Sequence, residues 1–388
     1  MRARLSADFE RFRRGLPRDF ATHVREVYGI DLAARYLGYP LPHPIGKGSG
    51  QLSLNPDQLE TDRAAGVAFV VLKTLIAETA TGERSMGAWA LHETRMTVER
   101  RQAGSRQGWT VTWKGRGWDR SMDEYLGLLR VARDLTRAGE KGMVALPSVK
   151  YHLPRLHEPF ADEEYAHTTA ELARAWGPGE LPIEKDFSPT LAGDSLADER
   201  SRILRWIAEI PDRIRKAARH GARVQLKLMN ARFDDDFQVD MLAAARDADG
   251  ATVFNRLFDP DRKVAYGGWE LSDRNLRVLD RVRARGVPAG PLCGTGNICS
   301  GRVLVDYARR GCESVQLHTF FQLPLHEYPA TVGSRSQRAL HALVFHPADG
   351  VVAVMLELEE RGLLHRRGGL LHFLDLPSCA SIEPSSTS

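Results

Sequence analysis

Two turns near the end of the chain, the first of them rich in glycine, have the layout that binds a phosphate. A Gly-Thr-Gly-Asn turn at residues 294–297 closes a short apolar run and precedes a helical segment at 301–310. A second apolar run, 315–317, ends in His318 and Thr319. Backbone N–H groups at such turns and at a helix N-terminus bind anions, and glycine lets the backbone approach closely. The pattern predicts a phosphate site and therefore a cofactor.

Two lysines provide the second chemical signal. Lys73 and Lys227 each stand at or near the end of an apolar run. A lysine is costly to bury there unless it meets an anion or a hydrogen-bond acceptor. Two interpretations stay open: each ammonium contacts a bound ligand, or each pairs with a core carboxylate such as Glu184 or Asp186.

Short apolar runs that end at polar or glycine residues predict the strands that position these groups. There are eight such runs, at 44–49, 68–74, 143–149, 181–188, 224–229, 251–257, 289–295 and 314–320. Helix-like segments lie between most of them, at 55–65, 121–138, 196–220, 235–247, 272–285 and 301–310. Eight strands alternating with helices predict an α/β fold, a (β/α)8 TIM barrel. A doubly wound sheet is the alternative, but no GxGxxG motif opens a βαβ unit.

Additional segments surround the predicted barrel. Residues 97–101 and 110–114 predict a β-hairpin inserted after strand 2, at the end of the barrel where such enzymes bind ligands. Residues 1–30 predict an N-terminal helical extension. We expect the barrel to occupy 31–350, followed by a C-terminal helix and a disordered Ser/Pro-rich tail within 351–388.

Composition excludes several classes of protein. A net charge of +4 over 388 residues, without a Lys/Arg-rich run, argues against nucleic-acid binding. The chain has no apolar run of about 18 residues and no signal peptide, so we expect no membrane segment. Its four cysteines lack CxxC spacing, which argues against iron–sulfur clusters and structural zinc. We expect no metal site, and reduced thiols in a cytoplasmic protein.

The order of the motifs resembles the dihydroorotate dehydrogenase-like FMN flavoproteins over roughly residues 31–325. The resembling segments are DLAARYLGYPLPHPI (31–45), GKGSG (46–50), LKT (72–74), IEKDFSPT (183–190), QLKL (225–228), Asn255, Gly-Gly (267–268), GTGN (294–297) and VQLHT (315–319). Each motif is weak alone, and their shared order makes the resemblance fairly specific.

The resemblance implies FMN as cofactor and an oxidoreductase that moves hydride between a CH–CH substrate and flavin N5. It implies catalytic roles for Ser188, the base before Pro189, and for Lys73 and Lys227. The implied cofactor ligands are Gly48, Ser49, Lys73, Lys227, Asn255, Gly267, Gly268, Gly294, Gly296, Asn297, His318 and Thr319. The implied substrate ligands are Asp186, Thr190 and Asn255.

Several departures from the family pattern affect the substrate. Asp186 and Thr190 stand where the family has asparagines, and Asn297 and His318 stand where it has glycines. An aspartate would repel a carboxylate substrate, which argues against dihydroorotate itself. The family role is pyrimidine biosynthesis. We expect a small-molecule substrate, and a soluble electron acceptor or a partner subunit for reoxidation; a homodimer is an open alternative.

Two other functions fit the same residues. A Schiff-base, aldolase-type barrel lyase would use Lys73 or Lys227 as its amine nucleophile. A non-catalytic barrel could retain flavin or phosphate binding after losing the reaction, and the altered substrate loop favours it. The retained lysines argue for catalysis.

Overall fold

The structure is a computed structural model that describes residues 1–17, 19–90, 95–103, 106–114, 117–137, 143–187, 200–259 and 264–379. Its helices are α1 Arg2–Phe12, α2 Phe20–Tyr28, α3 Pro56–Ala65, α4 Met122–Thr136, α5 Asp162–Trp176, α6 Arg200–Ala217, α7 Asp235–Ala244, α8 Leu271–Ala284, α9 Gly301–Arg309, α10 Arg335–Phe345 and α11 Val351–Glu360.

The strands alternate with these helices through most of the chain. They are β1 Ile30–Asp31, β2 Ala34–Tyr36, β3 Tyr39–Leu41, β4 Ile45–Lys47, β5 Phe69–Val71, β6 Leu75–Ile76, β7 Arg95–Ala103, β8 Arg106–Lys114, β9 Val144–Leu146, β10 Ser148–Lys150, β11 Leu181–Asp186, β12 Ala222–Met229, β13 Gly250–Asn255, β14 Leu257–Asp259, β15 Val264–Gly268, β16 Leu292–Gly294, β17 Cys312–Leu317 and β18 Leu371–His372.

One parallel sheet organises the fold and curls back on itself. Its hydrogen-bonded order is β6-β10-β11-β12-β13-β16-β17-β4-β5-β9. The two ends of this order meet, because β5 and β6 are successive segments of one stretch of chain, as are β9 and β10. The α/β class is confirmed, and the sheet is TIM-barrel-like. Two predicted bounds are corrected: the predicted strand 143–149 is divided into β9 and β10, and the predicted strand 68–74 is shortened to β5, with β6 following just beyond it.

The strands of this sheet are buried along almost their whole length. Every residue of β5, β9, β10 and β11 is buried. Parallel strands covered by helices on the outside read as continuous apolar runs, which explains why such runs predicted them. Polar residues within these strands, such as Glu184 and Lys227, therefore lie in the core.

Local signals explain where the helices begin and end. Asn55 caps α3 by accepting a hydrogen bond from the Gln58 N–H, and Gly66 ends it in a left-handed conformation. Ser300 caps α9 by accepting from the Val303 N–H. The N-terminus of α9 therefore follows directly after the turn at residues 294–299.

A second, antiparallel sheet lies beside the parallel one, in the order β14-β15-β8-β7. Strands β7 and β8 pair antiparallel, with Thr97 opposite Thr112. The far side of β8 pairs with β15, so that Val111 lies opposite Gly267 and Thr110 opposite Gly268. This pairing joins residues about 150 positions apart in sequence, and no local sequence pattern predicts it.

The two ends of the chain pack together. Ile30 of β1 pairs in parallel with Leu371 of β18. Phe9 of α1 stacks on His341 of α10 with ring centroids 4.6 Å apart. In the predicted tail, a 3₁₀ turn runs over Phe373–Ser378, and residues 380–388 lie outside the described part of the chain. Among the described residues, no helix is long and apolar enough to cross a bilayer.

Candidate functional site

A cavity at the carboxyl ends of β13, β16 and β17 is partly open to solvent, and its volume of about 520 Å³ includes that open space. Seven of the predicted cofactor residues line it: Asn255, Gly267, Gly268, Gly296, Asn297, His318 and Thr319. The two turns predicted to bind phosphate therefore share one cavity.

Hydrogen bonds from neighbouring elements fix the turn after β16. Gly296 has φ +101° and Asn297 φ +50°, so both adopt left-handed conformations. The Asn275 Nδ2 donates to the carbonyls of Thr295 and Phe254, each at 2.8 Å. The Thr295 hydroxyl donates to the Gln316 carbonyl at 2.7 Å. The turn is thus held rigidly against β13 and β17.

The glycines of these turns serve different purposes. A Cβ on Gly268, which has φ +104°, would lie 2.0 Å from the Trp109 carbonyl oxygen. A Cβ on Gly267 would meet nothing closer than 3.8 Å, so this backbone faces open cavity. Gly294 does not line the cavity; a Cβ there would lie 2.7 Å from the Tyr307 ring. Its glycine therefore permits close packing of α9.

Lys227 forms a buried ion pair beside the cavity. Its Nζ lies 3.5 Å from Glu184 Oε1, and Glu184 is fully buried. Glu184 Oε2 accepts from Gln316 Nε2 at 2.6 Å and from the Tyr36 hydroxyl at 3.4 Å. Burial raises the pKa of Glu184, and the Lys227 charge opposes that rise. The pairing with a core carboxylate was one of the two interpretations of this lysine.

Asp186 belongs to a second buried pair. Lys150 Nζ donates to Asp186 Oδ2 at 3.1 Å, and the Thr74 hydroxyl donates to the same oxygen at 3.2 Å. Ser49 Oγ and Thr74 Oγ1 share a hydrogen bond of 2.8 Å, which links β4 to this network. Burial lowers the pKa of Lys150 to about 8, although Asp186 opposes the shift.

Three further predicted residues, Lys73, His318 and Gly48, lie within the described part of the chain. Lys73 is 5% exposed, and its backbone N–H donates to the Ser53 carbonyl at 3.0 Å. Burial lowers the pKa of His318 well below its usual value, and nearby Arg256, Lys73, Lys227 and Lys47 lower it further. His318 is therefore neutral near pH 7. A Cβ on Gly48 would lie 3.0 Å from Gln316 Oε1.

The remaining two predicted residues, Ser188 and Thr190, lie outside the described residues. Sequence reasoning did not single out Trp109, Arg256 and Gln316, which line the cavity, or Lys150, which pairs with Asp186. Arg256 directly follows Asn255 at the end of an apolar strand, the same signal that singled out the two lysines. Gln316 stands inside the VQLHT motif, but its contact with Glu184 spans 132 residues and leaves no local trace. Among the described residues, no cluster of three or more His, Cys, Asp or Glu side chains could hold a metal ion.

Comparison with known proteins gives sequence relatives at low identity. No protein-family model matches the chain. Two curated proteins named dihydroorotate dehydrogenase (quinone), from Xanthomonas campestris pv. campestris strains B100 and 8004, are each 26% identical to it over 305 residues. The match covers 75% of this chain and 79% of each relative.

Comparison with solved structures shows a shared fold. Ligand-free DHODH from Eimeria tenella superposes with a TM-score of 0.57 and 15% identity, covering 96% of this chain and 97% of that one. DHODH from the same organism in complex with ferulenol also gives 0.57, at 13% identity, covering 92% and 93%. The sequence relatives support the resemblance that the motifs predicted, and the solved structures share the fold: the chain is similar to dihydroorotate dehydrogenases.

Proposed function

We propose that this protein is an FMN-dependent oxidoreductase that transfers hydride between a CH–CH group of a small anionic substrate and the flavin. The observation that carries the proposal is the single cavity lined by both predicted phosphate turns. The names of the sequence relatives support it, since they are dihydroorotate dehydrogenases.

The residues of the cavity fit the chemistry of a flavin mononucleotide. Gly267 leaves room for a phosphate against the backbone, and the N-terminus of α9 follows the neighbouring turn. Gln316 lines the cavity, and its buried Oε1 has no hydrogen-bond partner among the described residues. A buried acceptor of this kind is costly unless a donor meets it, and a flavin ring carries an N–H donor.

Each buried ion pair has a separate role in this proposal. When bound, the flavin supplies the two-electron acceptor for the substrate's hydride. Lys227 stabilises negative charge that develops beside it, and Glu184 holds the ammonium in place from the core side. Lys73 approaches both cofactor and substrate. Ser188 remains the proposed base for the adjacent C–H, with a water or a neighbouring group to take the proton.

The Lys150–Asp186 pair changes the argument about the substrate. The ammonium of Lys150 offsets the charge of Asp186, so repulsion of a carboxylate substrate is weaker than Asp186 alone would cause. We propose Asp186, Thr190 and Asn255 as substrate ligands. The family's role is the oxidation of dihydroorotate in pyrimidine biosynthesis. Dihydroorotate is therefore the first substrate to test.

Reoxidation and cellular setting belong to the same proposal. The relatives' name includes a quinone, whereas we expect a soluble acceptor or a partner subunit to serve this chain. We place the protein in the cytoplasm, with residues 31–350 as the FMN-binding barrel. Whether it forms a homodimer would follow from sedimentation of the loaded protein.

The visible spectrum of the purified protein tests the cofactor. We expect a yellow protein whose released chromophore has the mass of FMN. Anaerobic addition of dihydroorotate and of other saturated carboxylates would then identify compounds that bleach the flavin bands. A colourless protein that also fails to take up added FMN would refute the proposal.

One observation favours a second function. Lys150 is buried at the end of β10 with a pKa of about 8, and a buried amine with a lowered pKa is a suitable nucleophile for a Schiff base. A lyase of the aldolase type would use this amine, or Lys73 or Lys227. Covalent trapping of a carbonyl substrate by borohydride in a colourless protein would establish it. Failure of both flavin binding and trapping would leave a non-catalytic barrel.

A further inference from the structure

Arg256 places a guanidinium group in the wall of the cavity. The residue directly follows β13, and its side chain is buried, with 5% exposed. Its backbone carbonyl accepts a hydrogen bond from the Asn230 N–H at 3.1 Å, which fixes the start of the side chain. The cost of burying a charged group is high, so a buried arginine in a cavity wall has a specific position rather than a variable one.

The surroundings of Arg256 connect it with the two predicted phosphate turns. A Cβ added to Gly267 would lie 3.8 Å both from Arg256 Cγ and from Thr319 Oγ1. The side chain of Arg256 therefore runs along the same backbone that faces open cavity at Gly267. It stands between the turn at Gly267 and Gly268 and the one at His318 and Thr319.

The charge of Arg256 acts on both sides of the site. It is the strongest of the four cations that lower the pKa of His318, followed by Lys73, Lys227 and Lys47. It also contributes to the lowered pKa of Lys150 on the substrate side. The electrostatic potential in this part of the cavity is therefore positive, which favours an anionic ligand.

We propose that Arg256 is an oxyanion receptor of this cavity and determines which anion the site accepts. A guanidinium presents a planar fork of donors that binds phosphate or carboxylate through two parallel hydrogen bonds, which an ammonium does not do. The turns of this chain carry Asn297 and His318, side chains that occupy space which glycines would leave open. Arg256 adds a charged side chain beside the backbone N–H groups of these turns.

Two oxyanions could bind this guanidinium. The identification of these two ligands rests on the proposed function. One is the cofactor phosphate, because Arg256 lies beside Gly267 and Thr319. The other is the substrate carboxylate, because Arg256 directly follows Asn255, a proposed substrate ligand that lines the same cavity. Both have the same chemistry, and the experiment separates them.

The test compares wild type with Arg256→Gln, Arg256→Lys and the control Arg246→Gln, whose arginine side chain is 73% exposed and does not line the cavity. Affinities of the flavin-free protein for FMN and for riboflavin, which lacks the phosphate, are measured by flavin fluorescence. KM for the reducing substrate is measured on the loaded enzyme. Thermal shifts with inorganic phosphate and with dihydroorotate give a readout that needs no flavin.

If the phosphate is the ligand, Arg256→Gln weakens FMN binding by on the order of tenfold or more, leaves riboflavin unchanged and abolishes the phosphate-induced shift. If the carboxylate is the ligand, FMN binding is unchanged, KM rises by a similar factor, and the dihydroorotate-induced shift is lost. Arg256→Lys retains the charge without the fork and should give a smaller loss of the same kind. Arg246→Gln should match wild type.

The proposal is overturned if folded Arg256→Gln binds FMN, phosphate and dihydroorotate as wild type does and keeps the wild-type KM. Should that variant not fold, Arg256→Lys decides in the same way, and wild-type values in every assay overturn it. Should wild type bind no flavin, the proposed function fails. The phosphate and dihydroorotate shifts of wild type and variant then still decide whether Arg256 receives an anion.

Discussion

Two regions around the cavity hold their shape by different means. On the turn side, formed by residues 267–268, 294–297 and 318–319, backbone conformation and amide hydrogen bonds fix the geometry. On the strand side, formed by Lys150, Glu184, Asp186 and Lys227, buried ion pairs fix it. Gln316, which lines the cavity, connects it to the strand side through its hydrogen bond to Glu184.

The difference has an energetic consequence. When one group of a turn held by hydrogen bonds is changed, the free energy of unfolding falls by about 1 kcal/mol for each net hydrogen bond lost. A buried ion pair gains little over an apolar pair, but removing one partner leaves an uncompensated charge and costs roughly 3–5 kcal/mol. The strand side should therefore be the more fragile to single substitutions.

The largest expected effect is that of Lys227→Met. It leaves Glu184 buried without its cation, and we expect a loss of about 4 kcal/mol in the free energy of unfolding. Burial already raises the pKa of Glu184, and loss of Lys227 raises it further. A raised carboxyl pKa contributes stability that is lost as pH rises through it, so the deficit should be larger at alkaline than at acidic pH. Denaturant unfolding at several pH values measures this.

Glu184→Gln combined with Lys227→Met is the matched control. Glutamine keeps an oxygen that accepts from Gln316 Nε2 and carries no charge, so the double variant should recover much of the stability lost in either single variant. The same proteins report on function, since flavin retention should stay low wherever Lys227 is absent. Additive losses in the double variant would show that the two residues are not coupled.

Sequence reasoning succeeded where the determinants are local. Asn55 and Gly66 bound α3 as capping rules predict, and the glycine turns line the cavity together. It failed where distant strands meet. Nothing near Gly267 in sequence indicates its pairing with Val111, and Lys150 lies one residue beyond the predicted run 143–149 and was not singled out. Gly294 shows a further limit, because a glycine required for packing against Tyr307 has the same sequence signal as one that faces a ligand.

A pH-dependent effect should appear one residue away from the ion pairs. Lys185 is fully buried, and burial lowers its pKa from 10.5 to about 7. The unfolded chain therefore binds more protons than the folded protein between about pH 7 and 10.5. The free energy of unfolding consequently falls as pH decreases through this range to about 7, and it rises again toward alkaline pH. Lys185→Met removes this dependence. We expect it to stabilise the protein by on the order of 3 kcal/mol near pH 6 and by about 1 kcal/mol or less near pH 10.

The estimate for Lys185→Met allows for two contacts that methionine loses. Lys185 Nζ donates to the Asp186 carbonyl at 3.3 Å and lies 4.8 Å from the centre of the Phe187 ring. Lys216→Met is the control, because Lys216 is exposed on α6 and should change stability little at either pH. If Lys185→Met destabilises the protein equally at both pH values, the contacts outweigh the charge, and Lys185 is a well-accommodated part of the core.

The smallest expected effects come from two glycine substitutions on the turn side, which together distinguish a loss of stability from a loss of FMN binding. Gly296→Ala would place a Cβ 2.6 Å from Asn275 Nδ2 at a residue with φ +101°. We expect the free energy of unfolding to fall by about 2 kcal/mol, together with weaker FMN binding.

Gly267→Ala would place a Cβ no closer than 3.8 Å to any other atom, so it should leave the free energy of unfolding within about 0.5 kcal/mol of wild type. Its methyl group nevertheless occupies space that a phosphate would use, and FMN should bind more weakly than riboflavin in this variant. Wild-type FMN affinity in folded Gly267→Ala would place the phosphate away from this turn, and the turn side would then be a structural element only.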